Sequence, residues 1–106
     1  MRARTLITAL VPVADNDGAP FNTVDFAAFE DALIGAAGGW TFDGERLGAW
    51  KDPESGIVYR DRTRAYQVLV DSDTAPTLAD SIAALICARF RQLAAFVTAQ
   101  PISVSF

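Results

Sequence analysis

The chain contains no histidine and one cysteine among its 106 residues. Without an imidazole, a nucleophile cannot be activated by the histidine base of a Ser-His-Asp triad. A single thiol cannot close a disulfide within the chain, and the usual Cys/His zinc site lacks its ligands. The sequence therefore excludes a histidine-based triad, an internal disulfide and a Cys/His zinc site, and we expect neither a metal nor a cofactor.

A basic excess and a long apolar run are also missing. The net charge is −4, so nucleic acid is not an expected partner. No segment approaches the ~20 apolar residues that a membrane span needs. The apolar start of the chain is interrupted at Thr8, Pro12 and Asp15, which favours a first strand over a signal peptide. We therefore expect a cytoplasmic protein without a membrane partner.

Apolar residues make up 51% of the sequence, which argues against disorder. A chain of this length can bury one hydrophobic core, so we predict a single domain over residues 1–106. The β-branched run at 5–13 is typical of a central strand that is buried on both faces.

Apolar residues recur at helical spacing in two segments, one after Thr23 and one after Thr77. Thr23 is the predicted N-cap of the first helix, and Thr77 with Asp80 forms the predicted capping box of the second. Further strands are predicted at 40–51, 57–71 and 96–99, with a bulge near the glycines of the first. The order β-α-β-β-α-β predicts a ferredoxin-like α+β sandwich, in which two helices cover one face of an antiparallel sheet.

Pro101 is expected to break the chain before a short C-terminal strand at 102–106, where apolar and polar residues alternate. Such a strand must pair with something. It closes the edge of the domain's own sheet or adds to the sheet of a neighbour. We therefore predict a homo-oligomer, in its simplest form a dimer, that forms through the sheet edge or this strand.

The most distinctive segment is the predicted hairpin at 38–71, which holds both tryptophans, both tyrosines and five of the nine basic residues. Arg60, Arg62 and Arg64 share a strand face, because side chains alternate along a strand. Guanidinium groups on one face suit a carboxylate or phosphate ligand. The alternative is that these arginines pair with acids across the strands, such as Glu45.

Aromatic residues beside the arginines can form a platform for a planar ligand or a protein hot spot. Asp61 adds a carboxylate that could act as a base. The candidate binding residues are Trp50, Tyr59, Arg60, Asp61, Arg62, Arg64 and Tyr66. None of them is assigned a catalytic role.

The hairpin resembles that of a group of small bacterial proteins of unassigned function. The shared pattern is Gly-Gly-aromatic-Thr, then Trp-x-Asp-Pro-x-[Ser/Thr]-Gly, followed by an aromatic-x-Val strand and a Phe-x-Gln segment. The matching segments here are 38–41, 50–56, 66–68 and 90–92, together with Tyr59-Arg60-Asp61. The resemblance implies the ferredoxin-like fold, and it carries no activity.

Two functions remain open. The first is a non-enzymatic module that binds a small anionic molecule or a protein partner through the 38–71 hairpin. The second is a small dimeric α+β barrel-type enzyme acting on a hydrophobic or aromatic acid, in which Tyr59, Tyr66, Arg60 and Asp61 supply an acid, an anion clamp and a base. A pocket lined by these groups would favour the enzyme.

Overall fold

A computed structural model describes residues 3–103. The elements are β1 (Arg4–Pro12), α1 (Thr23–Ala37), β2 (Thr41–Lys51), β3 (Val58–Asp71), α2 (Ala75–Arg89) and β4 (Phe96–Ile102). The sheet has the strand order β2-β3-β1-β4, and all neighbours are antiparallel. The predicted ferredoxin-like α+β fold is confirmed.

β1 lies in the centre of the sheet, as predicted, but only one of its faces is fully buried. Ile7, Ala9 and Val11 are 0–2% exposed and face the helices. The alternate residues, such as Leu6 and Leu10, are half-buried on the opposite face. The prediction that both faces are buried is wrong, because both helices lie on the same side of the sheet.

The core is largely aromatic. The Phe90 ring is fully buried at the C-terminus of α2 and lies 5.0–5.8 Å, centroid to centroid, from the rings of Phe21, Phe26 and Phe29. The Phe29 ring lies 5.3 Å from that of Tyr66 in an edge-to-face arrangement. These ring contacts join both helices to β3. Edge-to-face packing of this kind stabilises the fold beyond the gain from burial alone.

α1 is capped by Asn22 rather than by the predicted Thr23. The Asn22 side chain accepts a hydrogen bond from the Asp25 amide at 3.0 Å, and the Asp25 carboxylate accepts one from the Asn22 amide at 3.1 Å. This reciprocal capping box moves the helix start by one residue. The helix ends at Gly38, whose φ of 83° is the left-handed conformation expected of this glycine.

The predicted capping box of α2 is wrong, because the helix begins at Ala75 and includes Thr77 and Asp80. Pro76 lies in the first turn, where its fixed φ suits the helix and its missing amide hydrogen costs nothing. Thr74 precedes the helix, and its hydroxyl donates to the carbonyl of Asp71 at 3.0 Å.

α2 ends in a tight turn around Arg91. The amide of Phe90 donates to Ile86 O at 2.9 Å, and that of Gln92 donates to Cys87 O at 3.1 Å. Arg91 has a φ of 53°, and it is the one non-glycine residue of the described chain with a positive φ. A side chain with a β-carbon is strained in this left-handed conformation.

Arg91→Gly should therefore raise the free energy of unfolding by about 0.5–1 kcal/mol, because the relief of strain outweighs the added freedom of the unfolded chain. The Arg91 side chain is exposed, so little packing is lost. Urea unfolding measures the change. Arg89→Gly is the control, since Arg89 is the last residue of α2 and has no positive φ, so glycine there should lower the free energy of unfolding. A lower urea midpoint for Arg91→Gly than for the parent chain would contradict the claim that Arg91 is strained.

Pro101 does not break the last strand. β4 runs through it to Ile102, and Pro101 lies opposite Thr5 of β1. In the alternation of this antiparallel pair, the backbone of Pro101 faces the free edge of the sheet, so the missing amide hydrogen removes no bond to β1. Of the predicted strand at 102–106, residues 104–106 lie outside the described part of the chain.

Candidate functional site

The two strands of the hairpin extend beyond the rest of the sheet. β1 last pairs with β3 at Pro12 and Thr63, whereas β3 and β2 remain paired as far as Val58 and Lys51. Every residue from 45 to 62 except Asp52 is exposed. We call residues 45–62 the arm. It gives the molecule a longest dimension of 49 Å against 31 and 22 Å for the other two.

A β-bulge lies at the root of the arm. The pairing of β2 with β3 shifts between Phe42 and Glu45, and Gly44 has a φ of 79°. The prediction of a bulge in this segment is confirmed. β2 has one residue more than β3 in this interval, so the helix-side face of β2 passes from Phe42, opposite Tyr66, to Glu45, opposite Arg64.

The tip of the arm is the predicted turn at 52–56. Asp52 accepts hydrogen bonds from the Glu54 amide at 2.9 Å and the Ser55 hydroxyl at 3.0 Å. These bonds, first that from Glu54 and then that from Ser55, hold the pKa of Asp52 below its usual value. Gly56 closes the turn with a φ of 75°. Asp52 therefore acts as a turn cap.

Trp50 and Tyr59 face each other across the two strands of the arm. Their rings are stacked, with centroids 5.0 Å apart and planes at 22°. Both rings lie on the face of the arm away from the helices, and they are 54% and 43% exposed. The structure thus joins two of the candidate residues into one exposed aromatic pair.

The three arginines of the arm and its root share the helix-side face, as the alternation predicts, but they have different partners. Arg62 pairs with Glu45 at 2.6 Å, and both side chains are well exposed. Arg60 makes no ion pair within residues 3–103. The alternative interpretation, pairing across the strands, is confirmed for Arg62.

Arg64 is held at the root of the arm between two rings. Its guanidinium carbon lies 4.5 Å from the ring centroids of both Phe26 in α1 and Phe42 in β2. Its Nε donates to the Tyr66 hydroxyl at 3.0 Å. The Tyr66 hydroxyl donates in turn to the carboxylate of Glu30 at 2.6 Å, and an Arg64 nitrogen lies 3.7 Å from the same carboxylate oxygen.

We call these five side chains the root cluster. The cation–π contact to Phe26, the Arg64–Glu30 pair and the Tyr66 hydroxyl connect β3 to α1, and the cation–π contact to Phe42 connects β3 to β2. Burial, and then the hydrogen bond to Glu30, raise the pKa of Tyr66 to about 12. Tyr66 is therefore neutral at physiological pH and donates a proton to the hydrogen bond with Glu30.

Sequence reasoning placed Arg64 and Tyr66 on one strand face but missed Glu30 and Phe26. One signal was present. Phe26, Phe29, Glu30 and Leu33 share a helix face by their spacing, and a glutamate among buried residues indicates a buried partner.

A groove of about 630 Å³ lies where the arm leaves the sheet. One wall is β3 from Tyr59 to Thr63. The other walls are the end of β1, the loop after it and the start of β4, which contribute Pro12, Val13, Asn16 and Phe96. This volume lies within the usual range of small-molecule sites, ~300–1,000 Å³.

The four residues of the enzyme hypothesis do not converge. Tyr59, Arg60 and Asp61 all line the groove. Arg60 is on the helix-side face of the strand, whereas Tyr59 and Asp61 are on the other. Tyr66 is 1% exposed and lies in the root cluster. The groove therefore brings together three of the four.

Comparisons with known proteins give matches in structure alone. No family model matches the chain, and no curated protein matches it. The resemblance of the hairpin to the small bacterial proteins thus stays a prediction.

Two of the matching structures are divalent cation tolerance proteins. The protein from Thermus thermophilus has a TM-score of 0.66 at 14% identity, over 97% of this chain and 87% of its own. The protein from Oryza sativa has a TM-score of 0.67 at 14% identity, over 99% and 84%. The fold of this chain is therefore similar to that of these proteins, which are called CutA1.

An enzyme has the same fold. A phage SAM lyase in complex with S-methyl-5'-thioadenosine has a TM-score of 0.69 at 12% identity, over 93% of this chain and 81% of its own. At these identities the likeness shows the fold, and neither function passes to this chain.

Two observations bear on partners. Within residues 3–103, no three His, Cys, Asp or Glu side chains lie close enough to hold a metal ion. No helix in the same range is long and apolar enough to cross a membrane.

Proposed function

We propose that this protein is a non-enzymatic interaction module that assembles with copies of itself through the arm and the C-terminal segment. A dimer is the simplest such assembly. The 38–71 hairpin supplies the binding surface, either for a protein partner, here a second copy, or for a small anionic molecule.

The exposed arm supports this proposal. Within residues 3–103, no third strand pairs with the two-stranded ribbon of the arm beyond Arg62. Five of its apolar side chains are 43–79% exposed: Leu47, Trp50, Ile57, Val58 and Tyr59. A two-stranded ribbon is at best marginally stable in water. The stacked Trp50 and Tyr59 rings form the contiguous part of this exposed apolar surface, which is typical of a surface that a partner covers.

The C-terminal part of the chain supports assembly as well. Residues 93–106 contain no charged side chain. β4 is an edge strand, and charged residues normally protect such edges from pairing with another chain. Here that protection is absent except for Pro101, which withholds one amide hydrogen from the free edge.

Trp50→Ala should weaken the assembly about 30-fold, because a central aromatic hot spot contributes about 2 kcal/mol or more. Light scattering across a dilution series measures the effect. Ile34→Ala is the matched control, since Ile34 is 51% exposed against 54% for Trp50 but lies on α1. We expect Ile34→Ala to assemble like the parent chain.

A variant that ends at residue 101 tests the contribution of the C-terminal segment in the same assay. The proposal predicts that this shortened chain dissociates at concentrations where the parent is assembled. Parent-like assembly of both the Trp50→Ala and the shortened chain would rule the proposal out.

The groove gives the enzyme hypothesis one specific observation, since Tyr59, Arg60 and Asp61 line it. A small enzyme acting on a hydrophobic or aromatic acid is therefore the second candidate. A thermal-shift screen with carboxylates, phosphates and aromatic acids separates the two. A stabilising ligand whose effect disappears in Arg60→Ala would favour a small-molecule site in the groove.

A further inference from the structure

Within the described part of the chain, the β3 wall of the groove is a strand edge that pairs with β2 on one side and with no strand on the other. After the last β1–β3 pair, Pro12 and Thr63, the amide of Val13 in the following loop donates one more hydrogen bond, to Arg62 O at 3.2 Å. β1 then turns away, while β3 continues to Val58 with β2 on one side only. Among residues 3–103, no strand pairs with the β1 side of β3 beyond Arg62.

The direction of the free backbone groups follows from that last contact. In an antiparallel strand the amide and carbonyl of one residue point to the same side, and successive residues alternate. Because Arg62 O faces β1, the backbone groups of Arg60 and Val58 face the same side, into the groove. Those of Tyr59 and Asp61 face β2.

We propose that this edge receives an added strand, the 102–106 segment of a second copy of the chain. The proposal rests on the proposed self-assembly and names the surface that receives the segment. An extended peptide can extend a sheet at a free edge, where main-chain hydrogen bonds supply affinity and neighbouring pockets accept alternate side chains.

The chemistry of the segment fits the groove. Residues 102–106 are uncharged, and Ile102, Val104 and Phe106 alternate with two serines. Pro12, Val13 and Phe96 give the groove apolar walls, and Phe96 is 63% exposed. An uncharged segment can enter without the desolvation cost of a charge.

The geometry requires a second copy. β4 begins beside the groove at Phe96 and runs away from it to Ile102, which lies opposite Arg4 at the far end of β1. Six residues of strand span roughly 20 Å, and the four residues after Ile102 reach back at most about 14 Å. A chain's own segment therefore cannot reach its own groove.

Amide hydrogen exchange tests the proposal on the unmodified protein. At assembling concentrations, the Arg60 and Val58 amides should exchange at least tenfold more slowly in the parent than in the chain shortened to residue 101. The Tyr59 and Asp61 amides, which face β2, are internal controls and should exchange at similar rates in both. Equal rates for Arg60 and Val58 in the two chains would overturn the assignment.

A pair of substitutions at one position tests it independently. Arg60→Pro removes a groove-facing amide hydrogen and no bond to β2, whereas Arg60→Ala keeps the backbone and removes the guanidinium. By light scattering, Arg60→Pro should dissociate like the shortened chain, and Arg60→Ala should assemble like the parent. Parent-like assembly of Arg60→Pro, or dissociation of both variants, would contradict strand addition at this edge.

The outcomes separate the two proposals. A monomeric parent removes both the self-assembly and the groove assignment. A parent whose assembly needs the C-terminal segment, but whose Arg60 and Val58 amides stay unprotected, retains the self-assembly and removes only the groove.

Discussion

Arg64→Ala should lower the free energy of unfolding by about 2–3 kcal/mol. The loss has two sources: the guanidinium leaves the space between Phe26 and Phe42, and the carboxylate of Glu30 loses its only nearby cation within the described residues. A cation–π contact is worth ~0.5–2 kcal/mol, and the charged hydrogen bond that Arg64 Nε donates to the Tyr66 hydroxyl contributes ~1.5–3 kcal/mol. Because Arg64 is 29% exposed and Glu30 keeps the hydrogen bond from Tyr66, we expect the lower half of the summed range.

Urea unfolding followed by circular dichroism measures this loss, which corresponds to a drop in Tm of roughly 10–20 °C for a chain of this size. Arg62→Ala is the matched control. Arg62 is on the same strand face and also pairs with a glutamate, but its side chain is 62% exposed. Exposed pairs contribute about 0–1 kcal/mol, so the control should change little. Equal losses in the two variants would contradict a structural role specific to Arg64.

Raising the pH above 10 should destabilise the protein through Tyr66. Its pKa is about 12 in the folded chain and 10.0 in the reference state. Between these values the unfolded chain releases a proton that the folded chain keeps. The stabilisation is therefore complete below pH 10 and is lost as the pH rises towards 12, at up to about 1.4 kcal/mol per pH unit.

Urea midpoints measured from pH 9 to pH 12 test this sign, with Tyr66→Phe as the control. The phenylalanine variant keeps the ring but has no hydroxyl to titrate, so its stability should fall less steeply over the same range. Other groups that titrate there are common to both chains, and the difference between the two slopes isolates Tyr66. Parallel curves would show that Tyr66 is not the group responsible.

The order of the elements could be predicted because each has its own periodicity, and the hairpin turn and bulge because glycine and proline mark them. The depth to which each strand face is buried could not be predicted. The run at 5–13 is apolar throughout, and only the position of the helices on one side decides that Leu6 and Leu10 stay half-exposed. The N-cap of α1 was missed by one residue, since Asn22 and Thr23 are both good caps, and that of α2 by three, since the helix begins at Ala75 after Thr74.

The candidate site was predicted less completely. Alternation placed Arg60, Arg62 and Arg64 on one face, and this is their arrangement in the structure. It could not show that Arg64 is enclosed by α1 while Arg60 is not, because that depends on contacts between residues far apart in the sequence. The groove was also missed, since it exists only because β1 ends before its partner β3.

The molar mass of the full chain in solution is the most direct test of the central claim. One chain has a mass of 11.4 kDa. Sedimentation equilibrium at micromolar concentration should give a whole multiple of that mass, at least twofold, which falls towards the single-chain value on dilution. A mass of one chain at every concentration would contradict self-assembly through the arm and the C-terminal segment.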